Sequence, residues 1–186
     1  SYDHKHNESN GENNRDGNDD NASRNYGHEG PVEKGSPIDI LRVRQIKNFM
    51  TWLLFSEGTP MLLSGDEIRR TQDGNNNAYN QDELNEVDWD SVDANKGVFN
   101  FTQWAIGVRK ALSIGHMRPA DIVWHGVKPF EPDWSDGTRF IARQYKAVGD
   151  GNKTIYIAGN SWEGPVDIEL PPGDWHRIAD TNLAEG

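Results

Sequence analysis

Long polar stretches and short apolar ones alternate along this chain. Residues 1–35 hold almost no apolar side chains. Alone they have the composition of a disordered segment, and inside a larger protein they read as a long loop. From residue 36 the pattern turns helical. Ile46, Phe49, Met50, Leu53 and Leu54 recur at the spacing of one helix face, and Trp52 and Phe55 widen it. Ser36 is placed as the N-cap, Pro37 as the first helical residue, Asp39 where a capping-box acid sits, and Gly58 as the stop. These positions predict a largely buried helix over 36–58.

A continuous apolar run, Met61-Leu62-Leu63, follows at once. A short run of this kind after a helix and a tight turn predicts a strand buried on both faces, as in a parallel sheet. Residues 66–97 are polar again and too long for a plain connection. A second helix is predicted over 98–114, with Phe101, Trp104, Ala105, Val108 and Leu112 on one face and Gly115 as its stop. Beyond residue 118 the pattern shortens to β segments with turn punctuation, at 122–125, 139–147, 154–160, 166–170 and 175–179. In the fourth of these Val166, Ile168 and Leu170 alternate with Asp167 and Glu169 before a Pro-Pro-Gly turn. "AVGDGNKT" reads as a hairpin turn. The chain therefore divides into an α/β part, residues 1–117, and an all-β part, residues 118–186, that reads as an antiparallel sheet or half a sandwich.

Charge removes several function classes. Thirty acids face 19 bases, for a net charge of −11. Such a surface repels nucleic acid and anionic membranes but is indifferent to a neutral polysaccharide. There are no cysteines, so neither disulfides nor thiolate metal sites can form. No apolar run approaches the length of a membrane span and no signal peptide opens the chain, which places the expected protein in the cytoplasm. No phosphate-binding glycine loop, nucleophile triad or cofactor motif stands out.

Candidate chemistry gathers after the apolar run. Residues at the carboxyl ends of strands, and the loops beyond them, face the active site in parallel α/β folds. Asp66 and Glu67 occupy such an end, and the amide run "GNNNAY" (74–79) lies in the next loop. Two readings stand: a wall of amides and carboxylates for a hydroxyl-rich ligand, or acids that anchor their own loop through backbone N–H groups. Asp16, Asn18 and Asp20 resemble the start of a calcium loop, but the sixth and twelfth positions are Asn21 and Gly27 rather than glycine and glutamate. His4 and His6 lack a third metal ligand at convincing spacing. No metal and no cofactor is expected.

"SYDHKHNESNGENNRDG", followed by "RVRQIKNFMTWLLFSEGTPMLLSGDEIRRTQDGNNNAYNQDELNEVDW", closely resembles glycogen-debranching enzymes of the isoamylase type, in the α-amylase superfamily. The resemblance covers residues 1–117 with specific motifs and extends to the β part with lower specificity. It implies the last part of a (β/α)8 barrel, with helix 7 at 36–58, strand 8 at 61–64 and helix 8 at 98–114, then a partial β-sandwich. It implies hydrolysis of α-1,6 branch linkages in glycogen or limit dextrin with retention, which needs two carboxyl groups roughly 5 Å apart. The nucleophile, the acid/base and the third carboxylate of the family all belong upstream of Ser1, so the segment itself is expected to be inactive. Asn75, Asn76, Asn77 and Tyr79, with Asp82, are the implied glucan-binding residues, and Asp66 and Glu67 shape the strand-end loop. A barrel segment on its own would repack or self-associate. The competing reading is a non-catalytic carbohydrate-binding or structural β module, motivated by the tryptophan-rich β part.

Overall fold

The computed structural model describes residues 1–148 and 153–183. Contacts divide them into two compact units. The first comprises Ser1–Trp52, Met61–Trp104 and the described residues from Ala179; the second comprises Leu53–Pro60 and Ala105–Ile178.

Two long helices form where the apolar periodicity places them. Helix α1 is Pro37–Leu54. Ser36 caps it: the hydroxyl oxygen accepts the Asp39 N–H at 3.3 Å, and its carbonyl accepts the Ile40 N–H. Asp39 reaches back to the Gly35 N–H at 2.9 Å rather than to its own cap residue. Short helices α2 (Asp82–Asn85) and α3 (Ser91–Ala94) interrupt the next polar stretch, and α4 spans Lys96–Ala111. Met50, Ile68, Ala78, Val98 and Phe101 form the apolar core of the first unit. Tail residues are held on α1, with Arg44 donating to the Asn182 side chain and the Thr181 hydroxyl donating to Asn48.

In the second unit, Leu54, Phe55, Ala105, Ile114 and Tyr145 are buried together with the inner face of an antiparallel sheet. That sheet has the order β1 (Ile122–His125), β2 (Phe140–Val148), β3 (Lys153–Asn160). Its register runs Ile122↔Tyr145 to His125↔Ala142 on one side and Phe140↔Asn160 to Tyr145↔Ile155 on the other, with an irregularity between Tyr145 and Val148. The predicted hairpin turn, residues 149–152, lies outside the described residues. Side chains of α4 and β2 collect the carbonyls at the end of α1. Arg109 donates to Leu54 at 2.6 Å and also to Ser56 and Gly58, while Arg143 and Tyr145 both donate to Phe55, at 2.9 and 2.8 Å. These donors replace the backbone partners that a longer helix would have supplied, and α1 stops at Leu54 instead of continuing to 58.

Three expectations fail for one physical reason. The predicted strand at 61–64 does not form, and Met61 is 90% exposed. The segments at 166–170 and 175–179 form no strand and lie outside the sheet, with a backbone bond from the Glu169 N–H to the Val127 carbonyl tying down the former. Phe49, assigned to the buried face of α1, is 73% exposed. A strand needs a ladder partner and an apolar face needs a cover. The described residues supply neither at these positions, so the expected antiparallel sheet forms with three of the five predicted segments.

A buried histidine gives the second unit a pH dependence. His125 is fully buried, its Nδ1 accepts the Phe130 N–H at 2.9 Å, and its ring packs on Phe130 and Tyr156. Burial pushes its pKa below the ordinary imidazole value. The folded state therefore holds the neutral ring where the unfolded chain already takes up a proton. Its contribution is fully present above about pH 6.5 and declines as the pH falls below it. Urea unfolding at pH 7 and pH 5 should show this loss, and His125→Asn, which keeps an acceptor but cannot titrate, should show a smaller one. Equal losses in the two proteins would remove His125 as the cause.

Candidate functional site

The amide run and the N-terminal polar stretch build one loop cluster within the first unit. Asn7 and Asn76 form its centre. The Asn76 backbone N–H donates to Asn7 Oδ1 at 3.0 Å, and Asn7 Nδ2 returns a bond to Asn76 Oδ1 at 2.9 Å. The Asn7 side-chain amide thus engages both the backbone N–H and the side-chain oxygen of one residue. Asn76 Nδ2 continues to the Asn18 carbonyl and to Asn21 Oδ1, both at 2.8 Å. Asn77 Nδ2 donates to Asp16 Oδ2 at 2.7 Å, a carboxylate oxygen that Asn10 also reaches. The Asn77 bond is the largest cause of an Asp16 pKa below the usual carboxylate range. Asn75 turns inward: its Oδ1 accepts the Asn77 N–H, its Nδ2 donates to Gln81, and it is buried.

Two glycines make this close docking sterically feasible. Gly17 has φ +72°, and a Cβ there would stand 2.1 Å from Asn76 Oδ1. Gly74 has φ +81°, and a Cβ there would strike the Tyr2 and His6 rings at 2.7 Å.

Of the residues singled out in the sequence, the three asparagines therefore come together as a clamp between loops. Tyr79 points away and is 91% exposed, and Asp82 is exposed at the start of α2. Asp66 and Glu67 open a single 3-10 turn, in which Glu67 accepts the Gly65 N–H at 2.9 Å. Burial, reinforced by the Glu67 charge, raises the Asp66 pKa.

Pattern reading missed Glu29 and Arg42. Glu29 accepts the backbone N–H groups of Asp3 and His4, the Asn25 amide and His6 Nε2, at 2.8–3.1 Å. These bonds hold its carboxyl far below the usual range. Arg42 donates from α1 to the carbonyls of Gly30 at 2.6 Å and Asn25 at 2.7 Å, and to that of His28. Its position, four residues before Ile46 in the apolar stripe, was the available signal. Beside it Arg69 pairs with Asp39 at 2.6 Å. His6 has Glu29 as its partner, and among the described residues no group of three or more histidines and acids could hold a metal ion.

The arrangement is a polar loop cluster whose amides are engaged with neighbouring loops, with the Tyr79 ring exposed beside it. No pair of carboxylates in it stands out as acid and nucleophile.

Residues 123–185 match the family model described as isoamylase 1-3, C-terminal. The glycogen operon protein GlgX homolog of Mycobacterium tuberculosis (strain ATCC 25618 / H37Rv) is 52% identical over 185 residues, covering 99% of this chain and 22% of the relative. The glycogen debranching enzyme of Erwinia tasmaniensis is 37% identical over 188 residues, covering 96% of this chain and 27% of the relative. Among solved structures, a pullulanase from Bacillus acidopullulyticus superposes with a TM-score of 0.61 at 23% identity, covering 75% of this chain and 17% of that one. The chain thus spans about a quarter of the length of these curated relatives.

Proposed function

The chain resembles isoamylase-type glycogen-debranching enzymes over nearly its whole length, and on that footing we propose that it is the C-terminal segment of one. The full-length protein is a retaining glycoside hydrolase that cleaves α-1,6 branch linkages in glycogen or limit dextrin. The identity of 52% over 99% of the chain carries this reading. In it α1 is the seventh helix of a (β/α)8 barrel, residues 61–64 are the eighth strand, and α4 is the eighth helix. The strand is completed by neighbours supplied from the rest of the enzyme. The clamp of Asn75, Asn76 and Asn77 shapes one wall of the glucan cleft, with Tyr79 and Asp82 on its outer side. Asp66 and Glu67 fix the loop that carries them.

The catalytic carboxylates belong to the remaining three quarters of the enzyme. The absence of cysteine fits work in the reducing cytoplasm, and no helix among the described residues is long and apolar enough to cross a membrane.

The 186-residue chain alone should release no reducing ends from limit dextrin, while the full-length enzyme should. A reducing-sugar assay on both checks this, and hydrolysis by the chain alone would sink the division of labour.

A further inference from the structure

A concavity lies in the first unit, beside the start of the amide run. Tyr2, Lys34, Arg42, Arg69, Thr71 and Asp73 line it. Its polar groups are only partly used. Arg42 is 5% exposed, and while its terminal nitrogens serve carbonyls, its Nε has no partner. Asp73 Oδ1 is approached by the Tyr2 and Thr71 hydroxyls at only 3.5 Å each, so the carboxylate keeps acceptor capacity. Arg69 and Asp73 both have positive φ, +61° and +53°, so the backbone holds these two polar side chains in uncommon conformations. The Tyr2 ring is wedged against Gly74 and rests edge-on against His6, 5.3 Å between centroids.

The mixture of signs selects the ligand class. An anion would meet Asp39 and Asp73, and a cation would meet Lys34, Arg42 and Arg69. A neutral polyol suits both, because each hydroxyl donates to a carboxylate and accepts from a guanidinium. An aromatic wall adds a flat surface for a sugar ring. We propose that this concavity is a glucosyl-binding subsite, with Asp73 and Arg69 taking adjacent hydroxyls and Tyr2 flanking the ring. This rests on the glucan reading above and adds to it residues that the amide run does not contain.

Titration of the full-length enzyme with maltotetraose tests it by binding, and hydrolysis of limit dextrin tests it by kinetics. Asp73→Ala should weaken maltotetraose binding and raise KM about tenfold, with kcat within about twofold. Asp73→Asn, which keeps the shape, should show a smaller loss in the same direction. Unchanged binding and KM in both variants would overturn the subsite. If the enzyme failed to cut α-1,6 bonds while maltotetraose binding still depended on Asp73, the debranching assignment would fall and the subsite would stand.

Discussion

Replacing Arg42 with alanine should destabilise the first unit by about 3 kcal/mol and release residues 25–30 from α1. The side chain is buried, and it is the donor for the carbonyls of Gly30, Asn25 and His28. Truncation leaves those acceptors without a partner and opens a hole in the wall of α1. Bonds from a charged donor are worth more than neutral ones, and leaving buried groups unpaired costs more again. The released loop carries Glu29, so the bonds from Asp3, His4 and His6 weaken with it. Urea unfolding reads the loss, and protease cleavage within residues 25–30 reads the release. An unfolding midpoint equal to that of the unaltered chain would show that the loop is held by something other than this anchor.

The second large effect should come from a single methyl group. Gly17→Ala places a Cβ into Asn76 Oδ1, at a backbone φ of +72°. A non-glycine residue there costs about 1–2 kcal/mol in conformation. The clash also breaks the paired bonds between Asn7 and Asn76, each worth about 1 kcal/mol. Together these are enough to undock residues 7–21 from the amide run without unfolding the helices. The Asn76 N–H, bonded to Asn7 Oδ1, is the reporter. Its hydrogen exchange should accelerate by about a hundredfold in the variant. Exchange that stays slow would mean that the amide pair does not hold the two loops together.

Local periodicity made α1, α4 and the three strands of the sheet legible, because a helix face or a short β segment carries its own pattern. The 61–64 and 166–170 segments carry the same kind of pattern and form no ladder, since a ladder belongs to two strands and the pattern describes one. The amide run shows the same limit at the candidate site. "GNNNAY" was legible as turn material suited to polar contacts. Its partners Asn7 and Asp16 lie 69 and 61 positions from Asn76 and Asn77, and no local signal links them. Arg42 was half legible: a cation inside an apolar stripe announces burial, but the loop carbonyls that receive it come from elsewhere in the chain. The motifs that resemble debranching enzymes therefore point to the proposed function, and the structure shows how those motifs are held.

In the proposed reading this chain completes an α-1,6-glucosidase whose chemistry lies outside it. Proton NMR of the full-length enzyme acting on limit dextrin tests this reading. The expected spectrum loses α-1,6 anomeric signal and gains linear maltooligosaccharides whose new reducing ends appear first as the α anomer. Loss of α-1,4 signal alone, with the branch points intact, would contradict it.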